Sequence, residues 1–273
     1  MPHRRPSCQA NAHRSSEAGQ AKALRAQYIA PVMFSRLPQA LASPLRHLPS
    51  QCAVCRGWGT QRLCAACVGL YAGPRPRCER CALAVPSGVR VCGDCVLHPP
   101  PFERALAAVD YDHPWDRLIT QFKFNAALDL AAVLAQRLVE AQRAGAAASP
   151  ELLLPVPLSA ERLSARGFNQ AWELARRVAR TLQCATDAQL LLRLKDTPQQ
   201  LALPSARRAA NVRGAFAVEP RRLHALRDRR VAVVDDVMTS GATAAEVART
   251  LLEAGAASVQ IWVVARTPRP GEA

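Results

Sequence analysis

Eight of the ten cysteines lie between residues 52 and 95, where they form four pairs with the spacing Cys-x-x-Cys. The pairs are Cys52/Cys55, Cys64/Cys67, Cys78/Cys81 and Cys92/Cys95. The residues between them show almost no apolar periodicity, so this segment cannot fold around a hydrophobic core of its own. Two such pairs supply four thiolates, the usual ligands of a structural zinc ion. The spacing therefore predicts two structural Zn²⁺ ions in a double zinc ribbon, residues 49–98.

Other interpretations of the cysteines stay open. An iron–sulfur cluster also uses thiolates, although the usual ferredoxin spacings are absent, and a redox site would need only one Cys-x-x-Cys pair. Neighbouring pairs could share one metal, or the first pair could join the third and the second the fourth. The short loops of eight and ten residues favour neighbouring pairs. Because the chain opens without the apolar core of a secretory signal, we expect reduced thiols in the cytoplasm.

Positive charge is concentrated in the first hundred residues. Residues 1–50 hold seven basic and one acidic residue, within a chain of net charge +15. We predict a disordered basic tail over 1–48, although an organelle transit peptide or a true start at Met33 would also fit. A basic end favours a polyanionic partner such as nucleic acid. The strong preference for arginine over lysine is also typical of a GC-rich genome, which would explain the charge without binding.

After the stiff HPPP segment at 98–101, strands and helices alternate over residues 102–268. We predict strands at ALAAVDY and ELLLPVPL, and helices at WDRLITQFKF, ALDLAAVLAQRLVEAQR and NQAWELARRVARTL. RRVAVVDDVMTSGATAAEVARTLLEAGAASVQIWVVART then reads as strand, loop, helix and strand. This order predicts an α/β domain with a doubly wound parallel sheet. No apolar run is long enough to cross a membrane as a helix.

The segment VAVVDDVMTSGAT, residues 231–243, carries the most functional information. Two acidic residues, Asp235 and Asp236, follow a buried strand at the end where open α/β sheets bind ligands. Adjacent carboxylates can accept hydrogen bonds from a vicinal diol or hold a hydrated Mg²⁺. TSGAT then turns into a helix, whose free amides form an anion site. A diol beside a phosphate describes a ribose 5-phosphate, whereas an ordinary capped turn would not need two acids at a buried strand end.

This segment resembles the binding motif for 5-phosphoribosyl pyrophosphate (PRPP) in type I phosphoribosyltransferases. Together with RLSARGFNQAWELA (162–175), PQQLALPSARRAANVRGAF (198–216) and the cysteine pairs, it is similar to the ComF competence-protein family. The resemblance covers residues 50–268 and implies a zinc ribbon joined to a phosphoribosyltransferase-like domain. It implies ribose binding by Asp235 and Asp236, with Mg²⁺, and phosphate binding by Thr239, Ser240, Gly241, Ala242 and Thr243.

Arginines at two further positions are candidates for binding the pyrophosphate. Arg162 and Arg166 follow the first buried strand of the domain, and arginine forks onto phosphate oxygens; solvated surface positions are the alternative. Residues 195–211 resemble the loop that covers PRPP, where Arg207 and Arg208 would join the two acids as catalytic residues. Gln199, Gln200 and Asn211 would bind an acceptor or order this loop. We expect Lys123 to be a surface charge on its helix.

Three functions remain open at this point. An enzyme would displace pyrophosphate from PRPP with an acceptor that the sequence does not identify. A sensor would bind PRPP or a nucleotide without turnover. The family name also implies a role in DNA uptake, with single-stranded DNA or the competence helicase machinery as partner. An aromatic content of 5% is low for a dedicated single-strand binder, which stacks bases on aromatic rings.

Overall fold

The computed structural model describes residues 49–145, 148–195 and 211–268. The tail predicted over 1–48 and most of the loop predicted over 195–211 therefore lie outside the described residues. The domain is built on one five-stranded sheet with the order β3-β9-β8-β4-β5, and all its strand pairs are parallel. The strands are β3 (Arg104–Asp110), β4 (Leu152–Pro155), β5 (Ala185–Thr186), β8 (Arg230–Met238) and β9 (Ser258–Arg266).

The central strands are apolar because helices cover both faces of the sheet. In β8, all four residues from Val231 to Val234 are fully buried. One face packs against α4 and α6, with α3 in the same core cluster, and the other packs against α7. These helices are α3 (Trp115–Phe124), α4 (Leu130–Ala144), α6 (Gln170–Leu182) and α7 (Ala242–Glu253). The predicted doubly wound parallel sheet is confirmed.

Helix bounds follow local capping. The helix predicted to begin at Ala127 begins at Leu130, since the carboxylate of Asp129 accepts a hydrogen bond from the Leu130 amide at 3.1 Å. Asn169 caps α6, as the sequence suggests, by accepting from the Ala171 and Trp172 amides at 2.9 and 3.3 Å. A short helix, α5 (Ala160–Arg166), precedes it. The antiparallel hairpin of β6 (Leu191–Arg193) and β7 (Phe216–Val218) and a 3-10 helix (Pro220–Ala225) complete this part of the chain.

The cysteine-rich segment carries a two-stranded ribbon, β1 (Ser50–Gln51) and β2 (Trp58–Gly59), and two short helices, α1 (Ala65–Tyr71) and α2 (Gly93–Leu97). We expected the HPPP segment to hold it apart from the sheet, but the two are in contact. Cys52 and Leu63 belong to the same buried cluster as Trp115. Ala105 of β3 donates a backbone hydrogen bond to the Glu79 carbonyl at 3.2 Å. The cysteine-rich segment therefore completes the core of the domain.

Candidate functional site

The sheet changes direction between β4 and β8, because the chain continues from β4 to β5 on one side and reaches β8 on the other. Ligands of open α/β sheets bind at such a point, outside the carboxyl ends of the strands. The loops after β4 and β8 therefore face one crevice, and these loops hold the predicted site residues.

Asp235 and Asp236 lie within β8, which continues to Met238; the strand was expected to end at Val234. Neighbouring strand residues point to opposite faces of the sheet. Asp235 lines an open pocket of about 420 Å³ together with Val233, Ile261 and the loop from Thr239 to Thr243. Asp236 is buried, and its Oδ2 lies 3.0 Å from Nζ of Lys123 on α3. The two acids thus face different surroundings.

The expectation that Lys123 is a surface charge is wrong. Its side chain is only 18% exposed, and it reaches across the face of the sheet to Asp236. The reason is helical spacing: Trp115, Ile119 and Lys123 are four residues apart, so they lie along one buried stripe of α3. The signal was present in the sequence, since this is one of only three lysines in a chain that uses arginine elsewhere.

Burial and charge shift the pKa values of this group in opposite directions. Burial, with the charge of Asp236, raises the pKa of Asp235 to about 8, while Lys123 acts to lower it. For Lys123, burial lowers the pKa, but the carboxylates of Asp236 and Asp235 outweigh it, and the net shift is upward. The lysine therefore stays cationic beside Asp236. A cation approaching Asp235 would favour its ionised form.

The loop Thr239–Thr243 leads from β8 into α7. Gly241 has φ of 78°, a conformation that a side chain disfavours, and it stands at the N-cap of the helix. Ser240 Oγ accepts from the Ala242 amide at 3.4 Å. The first amides of a helix lack intrahelical partners, so they point toward the crevice as donors for an anion. The structure thus brings together all the loop residues that the sequence singled out.

The loop after β4 is held rigidly. Asn169 is buried and donates from Nδ2 to the Val156 carbonyl at 3.1 Å, which ties the start of α6 to the end of β4. Ser159 caps α5 by accepting from the Arg162 amide at 3.4 Å. Gly167, with φ of 79°, ends α5 in the left-handed region, as its place in the sequence suggests.

Arg166 reaches the acid pair from this loop. Its guanidinium bonds Gln170 Oε1 at 2.5 Å and lies 5.1 Å from the centre of the Phe124 ring. Burial lowers the pKa of Arg166, Asp236 and Asp235 oppose that shift, and Arg162 adds to it. These effects require the two arginines and the two acids to lie within electrostatic range of one another. The structure therefore brings Arg162 and Arg166 to the crevice, where the sequence predicts them.

Four other predicted positions lie outside the described residues: Gln199, Gln200, Arg207 and Arg208. Asn211 is described and exposed. Their roles toward a ligand stay predictions.

The eight cysteines form two groups that could each hold a metal ion, Cys52/Cys55/Cys64/Cys67 and Cys78/Cys81/Cys92/Cys95. Neighbouring pairs share each group, as the short loops suggest. Within each group all Sγ atoms lie within 4.8 Å of one another. The Cys55–Cys64 and Cys81–Cys92 separations are both 3.7 Å. Four sulfurs around a zinc ion, with Zn–S bonds of about 2.3 Å, would be about 3.8 Å apart, so the geometry fits.

The thiol pKa values also fit a bound cation. Backbone amides outweigh burial and lower the pKa of Cys52 to about 6 and that of Cys78 to about 7. Amides at equivalent places donate to these sulfurs: Cys64 N to Cys52 Sγ at 3.4 Å, and Cys92 N to Cys78 Sγ at 3.3 Å. Burial, with the neighbouring thiols, raises the pKa of Cys67 to about 12. Four thiolates can coexist here only beside a positive charge.

Comparison with known proteins gives consistent matches. Residues 169–273 match the family model of the phosphoribosyl transferase domain. The chain is 34% identical to DNA utilization protein YhgH of Salmonella typhimurium over 230 residues, which cover 81% of this chain and 98% of that protein. It is 30% identical to competence protein F of Haemophilus influenzae over 223 residues, 79% of this chain and 96% of that protein.

Solved structures include a glutamine phosphoribosylpyrophosphate amidotransferase from B. subtilis, which is 18% identical with a TM-score of 0.36. The match covers 53% of this chain and 30% of that enzyme, so the chain spans less than a third of its length. Within the residues that the structure describes, no helix is both long and apolar enough to cross a membrane.

Proposed function

The chain belongs to the family of competence protein F and the DNA utilization proteins, and on this premise we propose that it binds PRPP and transfers its phosphoribosyl group. The observation that carries the proposal is the acid pair Asp235/Asp236 directly before a loop of free amides at the start of α7. Carboxylates bind a vicinal diol and the amides bind a phosphate. PRPP and its ribose 5-phosphate half carry both groups at the right chemical distance.

Each residue of the crevice has a role in this proposal. Asp235 and Asp236 bind the ribose hydroxyls, and Lys123 balances the buried charge of Asp236. The loop from Thr239 to Thr243 binds the 5-phosphate. Arg162 and Arg166 bind the pyrophosphate, to which we add Arg207 and Arg208 from the sequence resemblance. Carboxylate oxygens are ligands that Mg²⁺ prefers, so the acid pair suits a Mg²⁺ ion that arrives with PRPP and offsets pyrophosphate charge.

The reaction breaks the bond between ribose C1 and the pyrophosphate oxygen, and a new bond forms between C1 and a nucleophilic atom of the acceptor. The acceptor then loses a proton. Positive charge builds on the sugar ring and negative charge on the leaving pyrophosphate, so the arginines and loop amides stabilise the transition state. Such a reaction needs no protein nucleophile, which agrees with the residues lining the crevice.

For the two cysteine groups we propose Zn²⁺, four thiolates each, in a structural role. All four ligand positions of each ion would be filled by protein, which leaves no place for a substrate. Thiolates that stay available to metal also suit a reducing compartment, so we propose that the protein works in the cytoplasm.

The proposal is tested by isothermal titration of the full chain with PRPP and Mg²⁺. We expect saturable binding to the wild type and at least a hundredfold weaker binding to Asp235→Asn/Asp236→Asn. Glu253→Gln, an exposed acid at the far end of α7, is the matched control and should bind like the wild type. Binding that is equal in the double variant would refute the site. No binding to the wild type would refute the function.

Pyrophosphate release separates an enzyme from a sensor. We expect release from PRPP in the presence of one member of a panel of bases and amines, with Arg166→Ala lowering kcat more than binding affinity. Tight PRPP binding without release for any acceptor would instead make the protein a sensor.

Single-stranded DNA is a second candidate ligand, favoured by one observation. Trp58 is 74% exposed on the first ribbon, beside the exposed Arg56, so an aromatic face and a cation meet at one surface. Together these suit base stacking and phosphate contact. The relatives' names also refer to DNA utilization and competence. We expect oligonucleotides to quench Trp58 fluorescence in a salt-dependent way, with Trp58→Ala weakening binding tenfold; unchanged affinity would exclude this surface.

A further inference from the structure

Arg266, the last residue of β9, joins the second cysteine group to the phosphate loop. It is buried, and its guanidinium faces two parts of the chain at once. Nε donates to the carbonyl of Cys81 at 2.9 Å. Nη1 donates to the Met238 carbonyl at 3.0 Å and to the Thr239 carbonyl. One rigid, planar group thus links a residue of a metal-holding set to the residue that opens the loop.

The chemistry of arginine makes this link stiff. Its donors have a fixed fork geometry, so a carbonyl that moves away loses its bond and cannot be followed without breaking another. A buried charged group that loses acceptors is costly, because water does not replace them. The positions of the Cys81 and Thr239 carbonyls are therefore energetically dependent on each other.

The Cys81 end of the link is set by the four-cysteine group. The Cys78 amide donates to the Leu83 carbonyl at 2.8 Å, and the Ala82 amide donates to the Cys78 carbonyl at 2.8 Å. These bonds close a tight turn in which Ala82 has φ of 57° and is fully buried against the sheet. With its sulfur held among the other three thiolates, Cys81 has little freedom to shift its carbonyl.

The Thr239 end is set by the turn into α7. Thr239 precedes Ser240 and the left-handed Gly241, so the direction of its peptide group decides where the following amides point. A loop that binds an anion through amides depends on their alignment before the ligand arrives.

We propose that Arg266 is a positioning residue through which the second cysteine group keeps the loop Thr239–Thr243 in its binding conformation. Loss of that group's metal would then loosen the loop and weaken phosphate binding, although no cysteine lies in the loop. The ligand part of this inference rests on the proposed function, whereas the effect on loop order does not.

The test uses hydrogen exchange of the peptide spanning Thr239–Thr243 in the full chain without ligand. Arg266→Gln should speed exchange there at least tenfold, and Arg266→Lys should restore part of the protection, since a lysine donates to fewer carbonyls. Cys81→Ser should also speed exchange tenfold. Its matched control is Cys55→Ser, the equivalent position in the first group, which should change loop exchange less than twofold.

The outcomes are distinct. Unchanged loop exchange in Arg266→Gln would overturn the inference, as would equal effects of Cys81→Ser and Cys55→Ser. If Cys81→Ser does not fold, selective removal of metal with a chelator replaces it, with zinc release and loop exchange followed together. Titration with ribose 5-phosphate then adds the ligand part: we expect a tenfold loss of affinity in Arg266→Gln. If the wild type does not bind ribose 5-phosphate, the proposed function fails while the exchange result still decides the role of Arg266.

Discussion

The two cysteine groups share their spacing, their amide-to-sulfur bonds and their 3.7 Å sulfur separations, but they are attached to different parts of the domain. In the first group, Cys52 and Cys67 belong to the main buried cluster, and Trp115 donates from Nε1 to the Tyr71 carbonyl at 2.8 Å. In the second, three cysteines form a small cluster of their own.

The second group instead contacts the carboxyl edge of the sheet. Arg77 bonds Asp110 at the end of β3, and Cys81 accepts from Arg266 at the end of β9. The same metal-binding pattern therefore does two jobs. The first group completes the core under α3 and α4, and the second holds the edge where the candidate site lies.

The largest expected difference is in global stability. Cys52→Ser should lower the free energy of unfolding by about 3 to 5 kcal/mol, because it removes a metal ligand and places a hydroxyl in the main core. Cys78→Ser should cost about 1 to 2 kcal/mol in the same transition, since its cluster is separate. Urea unfolding followed by tryptophan fluorescence reports this, as Trp115 and Trp262 both lie in the main cluster.

An equal loss in both variants would remove the distinction between the groups. Zinc content should be measured beside each unfolding curve, so that a variant that keeps both ions is recognised.

The pH dependence of stability offers a second test of the contrast. The pKa of Asp235 is raised to about 8, mainly by burial, whereas an exposed aspartate titrates near 4. The folded protein therefore binds this proton more tightly than the unfolded chain. Its stability should fall as pH rises from about 4 to about 8, by about 2 to 3 kcal/mol from this carboxyl. Asp235→Asn should remove that part of the slope.

The loop from Thr239 to Thr243 lines the pocket over Asp235, so loosening the loop should admit water and bring the pKa of Asp235 down. Cys81→Ser should therefore flatten the pH slope, and Cys55→Ser should keep it. Identical slopes in the two variants would mean that the second group does not support the loop.

These contacts also show why only part of the site could be read from the sequence. The loop after β8 was predictable because the strand, the acids, the glycine and the helix start are all set by neighbouring residues. Asn169 and Gly167 were predictable for the same reason, as caps depend on local spacing. The fold class followed from alternating strands and helices.

Lys123 and Arg266 depend on tertiary contacts instead. Arg266 and Cys81 are 185 residues apart in the chain, and nothing local in either segment names the other. Lys123 was assigned to the surface because its neighbours Gln121 and Phe124 give no sign of a carboxylate partner across the sheet. Attachment of the cysteine-rich segment was missed similarly, since proline residues predict a local break but not whether the flanking parts pack together.

The smallest expected effect compares the ion pairs that attach each group. Arg77 and Asp110 are 15% and 12% exposed and their closest atoms are 2.6 Å apart, whereas Arg62 and Asp129 are 31% and 52% exposed. Arg77→Ala should cost about 1 to 2 kcal/mol, because Asp110 then depends on the largely exposed Arg75. Arg62→Ala should cost about 0.5 kcal/mol or less, as exposed pairs are weak.

Double-mutant cycles with Asp110→Asn and Asp129→Asn isolate each pair, and salt separates them further. Sodium chloride at 1 M should remove most of the Arg62–Asp129 coupling and leave most of the Arg77–Asp110 coupling, because screening acts mainly on charges in contact with solvent. If the Arg62 pair proved the stronger, the second group would be the more loosely attached of the two. Such a group could not fix the Cys81 carbonyl, and the support of the phosphate loop would have to come from β8 and β9 alone.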